Sequence, residues 1–341
     1  MGYWTIMAVI DEVGVRRRLR IMLGNDALVE SYIAHHGFRI DVQKIQLMRE
    51  EFERPKSVAV TEESGPGETA ADDPVFTVHL KCPSCYLTSI PSHDLKAKSL
   101  QVLSDRFGMP HYRAMGRFFA CDYNLLSVTI CPQCLYASPD KRDFIARDPA
   151  RARELPARLH QGELAAILAA ADDRATWLAE QGLDVQRDLM IRDRSPQAGI
   201  AAYDLAVQRA AIEFSRNVPF SAFKMGGYTL KQATIAWVHG LDPSPWYTKA
   251  LQHYLNCFER SNAPGFQYDG QILYLVIALG LRQNNLDVAG SYLGVLDRTK
   301  SRVDVANIDG QIQQTFDRWY GQAREIWADR ENPDLFQLPK P

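Results

Sequence analysis

The sequence predicts an α+β protein: a short N-terminal segment, a small β module held by metal ligands, and an all-α domain behind it. Three observations carry that expectation. Two Cys-Pro-x-Cys turns, Cys82-Pro83-Ser84-Cys85 and Cys131-Pro132-Gln133-Cys134, have 45 residues between them. A run rich in β-branched residues precedes each turn. From about residue 150 onward, apolar residues recur with the 3.6-residue period of amphipathic helices.

Residues 1–54 form the first segment, with a candidate strand at 6–10 and a candidate helix at 13–23 carrying Arg16, Arg17, Arg18 and Arg20. Asp11 and Glu12, closing that strand, are similar to the opening of a response-regulator receiver domain, where an acidic pair holds Mg²⁺ beside a phosphorylated aspartate. The segment is too short for a receiver and offers no later Asp at the end of an apolar strand. A docking element or degenerate receiver is therefore expected rather than phosphotransfer. Residues 55–74 contain Gly65, Pro66, Gly67 and several acids with few large apolar side chains, the composition of a flexible linker.

Residues 75–145 are expected to be a zinc ribbon. Residues 75–80 and 125–130 each alternate like a strand leading into a cysteine turn. Two sulfurs on a tight turn point the same way, and proline pre-sets that turn. One Cys-x-x-Cys also suits redox chemistry. Two matched turns instead offer Cys82, Cys85, Cys131 and Cys134 as a closed tetrahedral site for structural Zn²⁺, with no open position for substrate. Cys121 is a candidate substitute ligand, but with four thiolates available it is expected to be a buried apolar residue, as is Cys257. His93 and His111, in the stretch between the turns, are expected to form hydrogen bonds or lie at the surface.

Residues 150–330 are expected to be a helical repeat domain. Tyr203, Ala206, Val207, Ala210 and Phe214 make one apolar stripe. Leu230, Ala233, Trp237 and Val238 mark a second helix, stopped by Gly240 and Asp242-Pro243. Further helices follow around 246–258, 272–279, 289–296 and 308–327. Ala250 one turn before Tyr254, and Ala289 one turn before Leu293, match the small-then-large spacing of a tetratricopeptide unit, at an offset of 39 residues. An irregular helical bundle is the alternative. The linker and the composition change suggest that ribbon and helices have separate cores.

Composition narrows the function. A 46% hydrophobic, 23% charged chain of 341 residues with a formal net charge of -2 has no global attraction to nucleic acid or anionic membranes. No apolar run is long enough for membrane insertion, and the opening Met-Gly-Tyr-Trp-Thr-Ile lacks secretory and myristoylation features. Cysteines grouped as metal ligands fit a reducing cytoplasm. No phosphate loop, His-Glu-x-x-His helix or Gly-x-Ser-x-Gly elbow is present, so no enzyme activity is expected.

The two cysteine motifs, with Tyr123-Asn124-Leu125-Leu126 between them and Leu135-Tyr136-Ala137 behind the second, resemble the bacterial family catalogued as domain of unknown function 2225. The likeness extends from about residue 76 to 328. It implies a zinc-binding module joined to a tetratricopeptide-like tail, with no established activity. Tyr86 and Leu135 stand where that family usually has glycine, so tighter turns behind the metal are expected.

The expected function is that of a non-catalytic cytoplasmic adaptor or scaffold, binding a partner protein or further copies of itself through the concave face of stacked helices. Tyr228, Trp246, Tyr247, Tyr274 and Tyr292 are candidate anchors for that face. The alternative is a regulatory zinc ribbon that binds nucleic acid through Arg16–18 and Arg20, or through Lys141, Arg142, Arg147, Arg151, Arg153 and Arg158. Asp143, Asp148 and Glu154 interleave with the second cluster and weaken that reading.

Overall fold

The β module is a set of hairpins, not one continuous sheet. A computed structural model describes residues 72–148, 153–155, 158–306 and 308–337, together with 26–37 and positions 19, 20, 23, 45, 46 and 48. Strand β1 (Val75–Leu80) pairs antiparallel with β2 (Ile90–Leu95), and β3 (Leu100–Ser104) with β4 (Pro110–Ala114). β5 (Thr129–Ile130) pairs with β6 (Ala137–Ser138), and β7 (Ala146–Asp148) with β8 (Arg153–Leu155). The first and third hairpins each close around one cysteine turn. A 2.6 Å hydrogen bond between the Ser92 and Thr129 hydroxyls ties β2 to β5.

β1 coincides with the expected first strand. The second is shorter than expected: strand geometry is confined to Thr129–Ile130, and Tyr123–Leu125 forms a 3-10 turn. The Asp122 carboxylate accepts from the Asn124 amide and starts that turn. Arg194 then donates to the carbonyls of Leu125 (3.2 Å) and Val128 (3.0 Å). A buried side chain, rather than a partner strand, satisfies this backbone.

The described helices are α1 (Asp26–His36), α2 (Gln161–Ala169), α3 (Ala171–Glu180), α4 (Pro196–Ser215), α5 (Ser221–Val238), α6 (Ser244–Glu259), α7 (Phe266–Arg282), α8 (Leu286–Val305) and α9 (Gly310–Ala328). The six apolar stripes read from sequence fall on α4 to α9. Each of these helices packs on its successor, and α7 also packs on α9. Ser195 caps α4 by accepting from the Ala198 amide, with Pro196 in the first turn. Gly226 allows α5 to approach α6: a Cβ there would lie 2.7 Å from the Tyr254 ring. No helix among the described residues is long and apolar enough to cross a membrane.

In the N-terminal segment, Leu28, Val29 and Tyr32 of α1 form a small buried cluster with Leu19, Leu23 and Ile45. The candidate strand at 6–10, Arg16–18 and residues 55–71 of the linker lie outside the described residues.

The β module and the helices do not have separate cores, and that expectation is corrected. One buried cluster joins Val128, Ile130, Leu135 and Ala137 of the second cysteine hairpin to Ala202, Leu230, Tyr254 and Leu275 of the helices. The β3–β4 hairpin also docks on the helices, with Phe107 stacked on Phe336 and 5.4 Å from Tyr247. A buried ion network completes the join. Arg209 of α4 donates to the Asp143 carboxylate (2.8 Å) and the Tyr136 hydroxyl (2.9 Å) on the β-module side. Its Nε lies 3.1 Å from Glu213, which also pairs with Lys224 at 3.0 Å.

Candidate metal centre

Each cysteine turn is built by the same pair of backbone hydrogen bonds. The Cys82 amide donates to the Leu87 carbonyl and the Tyr86 amide to the Cys82 carbonyl, at 2.8 and 3.1 Å. In the second turn, Cys131 donates to Tyr136 and Leu135 to Cys131, at 2.8 and 2.9 Å. The residue after each second cysteine closes the loop by entering the left-handed region, with φ 62° at Tyr86 and 56° at Leu135. Those two positions are where glycine would be free of strain. Both residues nonetheless adopt the conformation, and Leu135 is held there by burial in the shared core.

The two loops face each other and bring the four sulfurs together. Cys82 Sγ lies 3.6 Å from Cys134 Sγ and Cys85 Sγ 3.4 Å from Cys131 Sγ, with all four within 4.8 Å of one another. Sulfurs at about 2.3 Å from a tetrahedral metal sit about 3.8 Å apart, so the cluster fits one ion with little rearrangement. Among the described residues it is the one group of three or more His, Cys, Asp or Glu side chains able to do so. All four cysteines are free thiols and at most 4% exposed. Leu80, Ile90, Tyr136 and Phe144 cover them from the β module, and Leu164, Ile167 and Ala171 from α2 and α3.

The four thiols pair off in hydrogen bonds, Cys82 with Cys134 and Cys85 with Cys131. Burial, reinforced by hydrogen bonds with neighbouring cysteines, pushes Cys82 and Cys85 well up. Burial also opposes ionisation of Cys134, but hydrogen bonds from the other three cysteines hold it well down. A divalent ion would displace the shared protons, so metal uptake releases protons and weakens as pH falls.

The remaining candidates lie elsewhere. Cys121 receives a long contact from Arg192 (3.8 Å) and is not in the cluster. His93 is buried beside Thr77, His111 pairs with Asp105 at 3.2 Å, and Cys257 is buried in α6. Of the candidate anchors, Tyr228, Tyr247 and Tyr274 are core residues, which corrects their reading as a contact face. Tyr274 donates to the Arg106 carbonyl and Tyr247 packs on Phe107. Trp246 and Tyr292 are half-buried. In the basic cluster, Arg142 and Arg158 both bind Asp140, and Lys141 binds Asp94.

Sequence reasoning missed Arg174 and Arg209, both fully enclosed. A signal for them was present. Arg174 falls on the same helical face as Ala171 and Leu178, and Arg209 on that of Ala206 and Ala210.

The family model described as "Uncharacterized protein conserved in bacteria (DUF2225)" matches residues 75–319, from the first residue of β1 into α9. No curated protein and no solved structure matches the chain.

Proposed function

The chain belongs to the DUF2225 family of uncharacterized bacterial proteins, and from that premise we propose that it is a non-catalytic, zinc-stabilised cytoplasmic scaffold. One observation carries the reading: four cysteines, at most 4% exposed, close around a single position with protein on every side. Four thiolates select Zn²⁺ or an iron–sulfur group over harder ions. A tight four-sulfur pocket of this size suits a single Zn²⁺. Such a site holds structure, and here it holds the hairpins against α2 to α4.

The working surface is then the helical domain, which binds a partner protein or another copy of the chain. Supporting it are helices packed each on the next, and the buried Ala250 and Ala289, whose small-then-large spacing is that expected of tetratricopeptide units. Trp246 and Tyr292 are the anchors that burial leaves available. Nucleic-acid binding through the second basic cluster draws less support, because Lys141, Arg142 and Arg158 are already paired with carboxylates.

Elemental analysis of protein purified without added metal, with thiols counted before and after chelation, tests the centre. One zinc per chain and four thiols appearing on chelation are expected. Metal-free protein with reactive or oxidised cysteine pairs would replace this reading with thiol redox chemistry. Sedimentation velocity across a concentration series, with Trp246→Ala and Tyr292→Ala beside the native chain, tests self-assembly. Binding to a mixed-sequence duplex that weakens steeply with salt would favour the nucleic-acid alternative.

A further inference from the structure

Four thiolates around one divalent ion leave two net negative charges, and this pocket buries them. Burial of charge is costly without an opposite charge nearby. The amide of Ser84, which points at Cys82 Sγ from 3.4 Å, offsets part of that charge. Arg174 on α3 brings a positive charge to the backbone of the second cysteine turn. It is 2% exposed. Its Nη2 donates to the Cys134 carbonyl at 2.8 Å and to the Ile167 carbonyl of α2 at 2.7 Å. Both partners are neutral, and Nε and Nη1 have no hydrogen-bond partner among the described residues.

We propose that Arg174 is the buried counter-charge of the metal–thiolate centre, a positioning residue through which α3 retains the ion. The inference rests on the metal-centre reading above. Its mechanical side is visible in the same bonds. Ser84 Oγ donates to the Leu164 carbonyl at 3.1 Å, fastening the first cysteine turn to α2. Arg174 fastens the second turn to α2 through the carbonyls of Cys134 and Ile167. The α2–α3 corner thus grips both turns, and only the second grip carries charge. Losing that charge together with its grip should make the ion easier to extract, and a lysine that keeps the charge should restore part of the hold.

The test uses the full chain loaded with Zn²⁺, as native protein, Arg174→Met and Arg174→Lys. Zinc release to a chromogenic chelator and thiol reaction with a colorimetric reagent are followed together, with far-UV circular dichroism as the fold control. Arg174→Met is expected to release zinc about 10–100-fold faster than the native chain, the usual scale for a group one shell outside the ligands. Arg174→Lys should fall between the two. A Met variant within about twofold of native, or a Lys variant as fast as Met, would show that charge is not what Arg174 supplies. Should the Met variant not fold, Lys decides alone: folded and zinc-retaining supports the role, and unfolded overturns it. Native protein with no zinc would remove the centre itself. Native protein with one zinc beside an unaffected Met variant would remove only the role of Arg174.

Discussion

Replacing Arg209 with Met asks whether the ribbon and the helices unfold as one body. Arg209 is fully buried and makes two hydrogen bonds to the ribbon, to Asp143 at 2.8 Å and to the Tyr136 hydroxyl at 2.9 Å. Hydrogen bonds to a charged group are worth about 1.5–3 kcal/mol each. Methionine restores much of the packing of the side-chain stem but leaves Asp143 and Glu213 buried, with Lys224 the nearest remaining cation at 3.0 Å from Glu213. Stripping one partner from a buried ion pair costs about 3–5 kcal/mol, which is the expected loss. The Arg209→Met/Asp143→Ala pair should lose less than the sum of its single variants, by about 1–3 kcal/mol. Urea unfolding of the zinc-loaded chain is followed by far-UV circular dichroism for the helices and by chelator colour for the metal. Because the core runs through both parts, the two signals should coincide and move to lower urea together. A loss under about 1 kcal/mol would refute the network argument. Metal release well separated from helix melting in the native chain would refute the shared core.

Three further substitutions probe other contacts. Gly226→Ala should lower stability by about 1–3 kcal/mol despite alanine's better helix propensity, because its Cβ would meet the buried Tyr254 ring at 2.7 Å; a melting temperature equal to or above native would contradict this. Leu135→Gly relieves a left-handed residue at φ 56°, worth about 1–2 kcal/mol. It also empties a core position that is 2% exposed, costing about 2–5 kcal/mol. A net loss is therefore expected, and a more stable variant in urea would reverse that ranking. His93 is held neutral down to about 4 by burial, with Arg194 and Arg192 adding repulsion. The unfolded chain binds that proton near pH 6.5, so the native state loses stability as pH falls from about 6.5 toward 4, by about 1–3 kcal/mol. His93→Gln should flatten the stability slope over that window relative to native, and matching slopes would exclude His93 as its source.

The cysteine turns were legible because their information is local: spacing and proline place two sulfurs on one loop whatever surrounds it. The helices were legible for the same reason, through stripes such as Tyr203, Ala206 and Ala210. What sequence could not show was which charged residues the packing encloses. Arg194 takes the carbonyls of Leu125 and Val128, ahead of the short strand at Thr129–Ile130, and nothing within that run announces a guanidinium 66 residues downstream of Val128. Tyr228, Tyr247 and Tyr274 have the spacing of either core or contact face, and only the neighbouring helices and the β3–β4 hairpin decide between them. Arg174 and Arg209 carry no motif of their own in the sequence, although both sit in register with apolar neighbours. A charged residue on an otherwise apolar helical face must be paired or it destabilises the fold. The partner of Arg209 is a carboxylate network. Arg174 donates only to carbonyls, those of Cys134 on the second cysteine turn and of Ile167 on α2. That difference is why one arginine bears on how the two halves hold together and the other on how the metal is held.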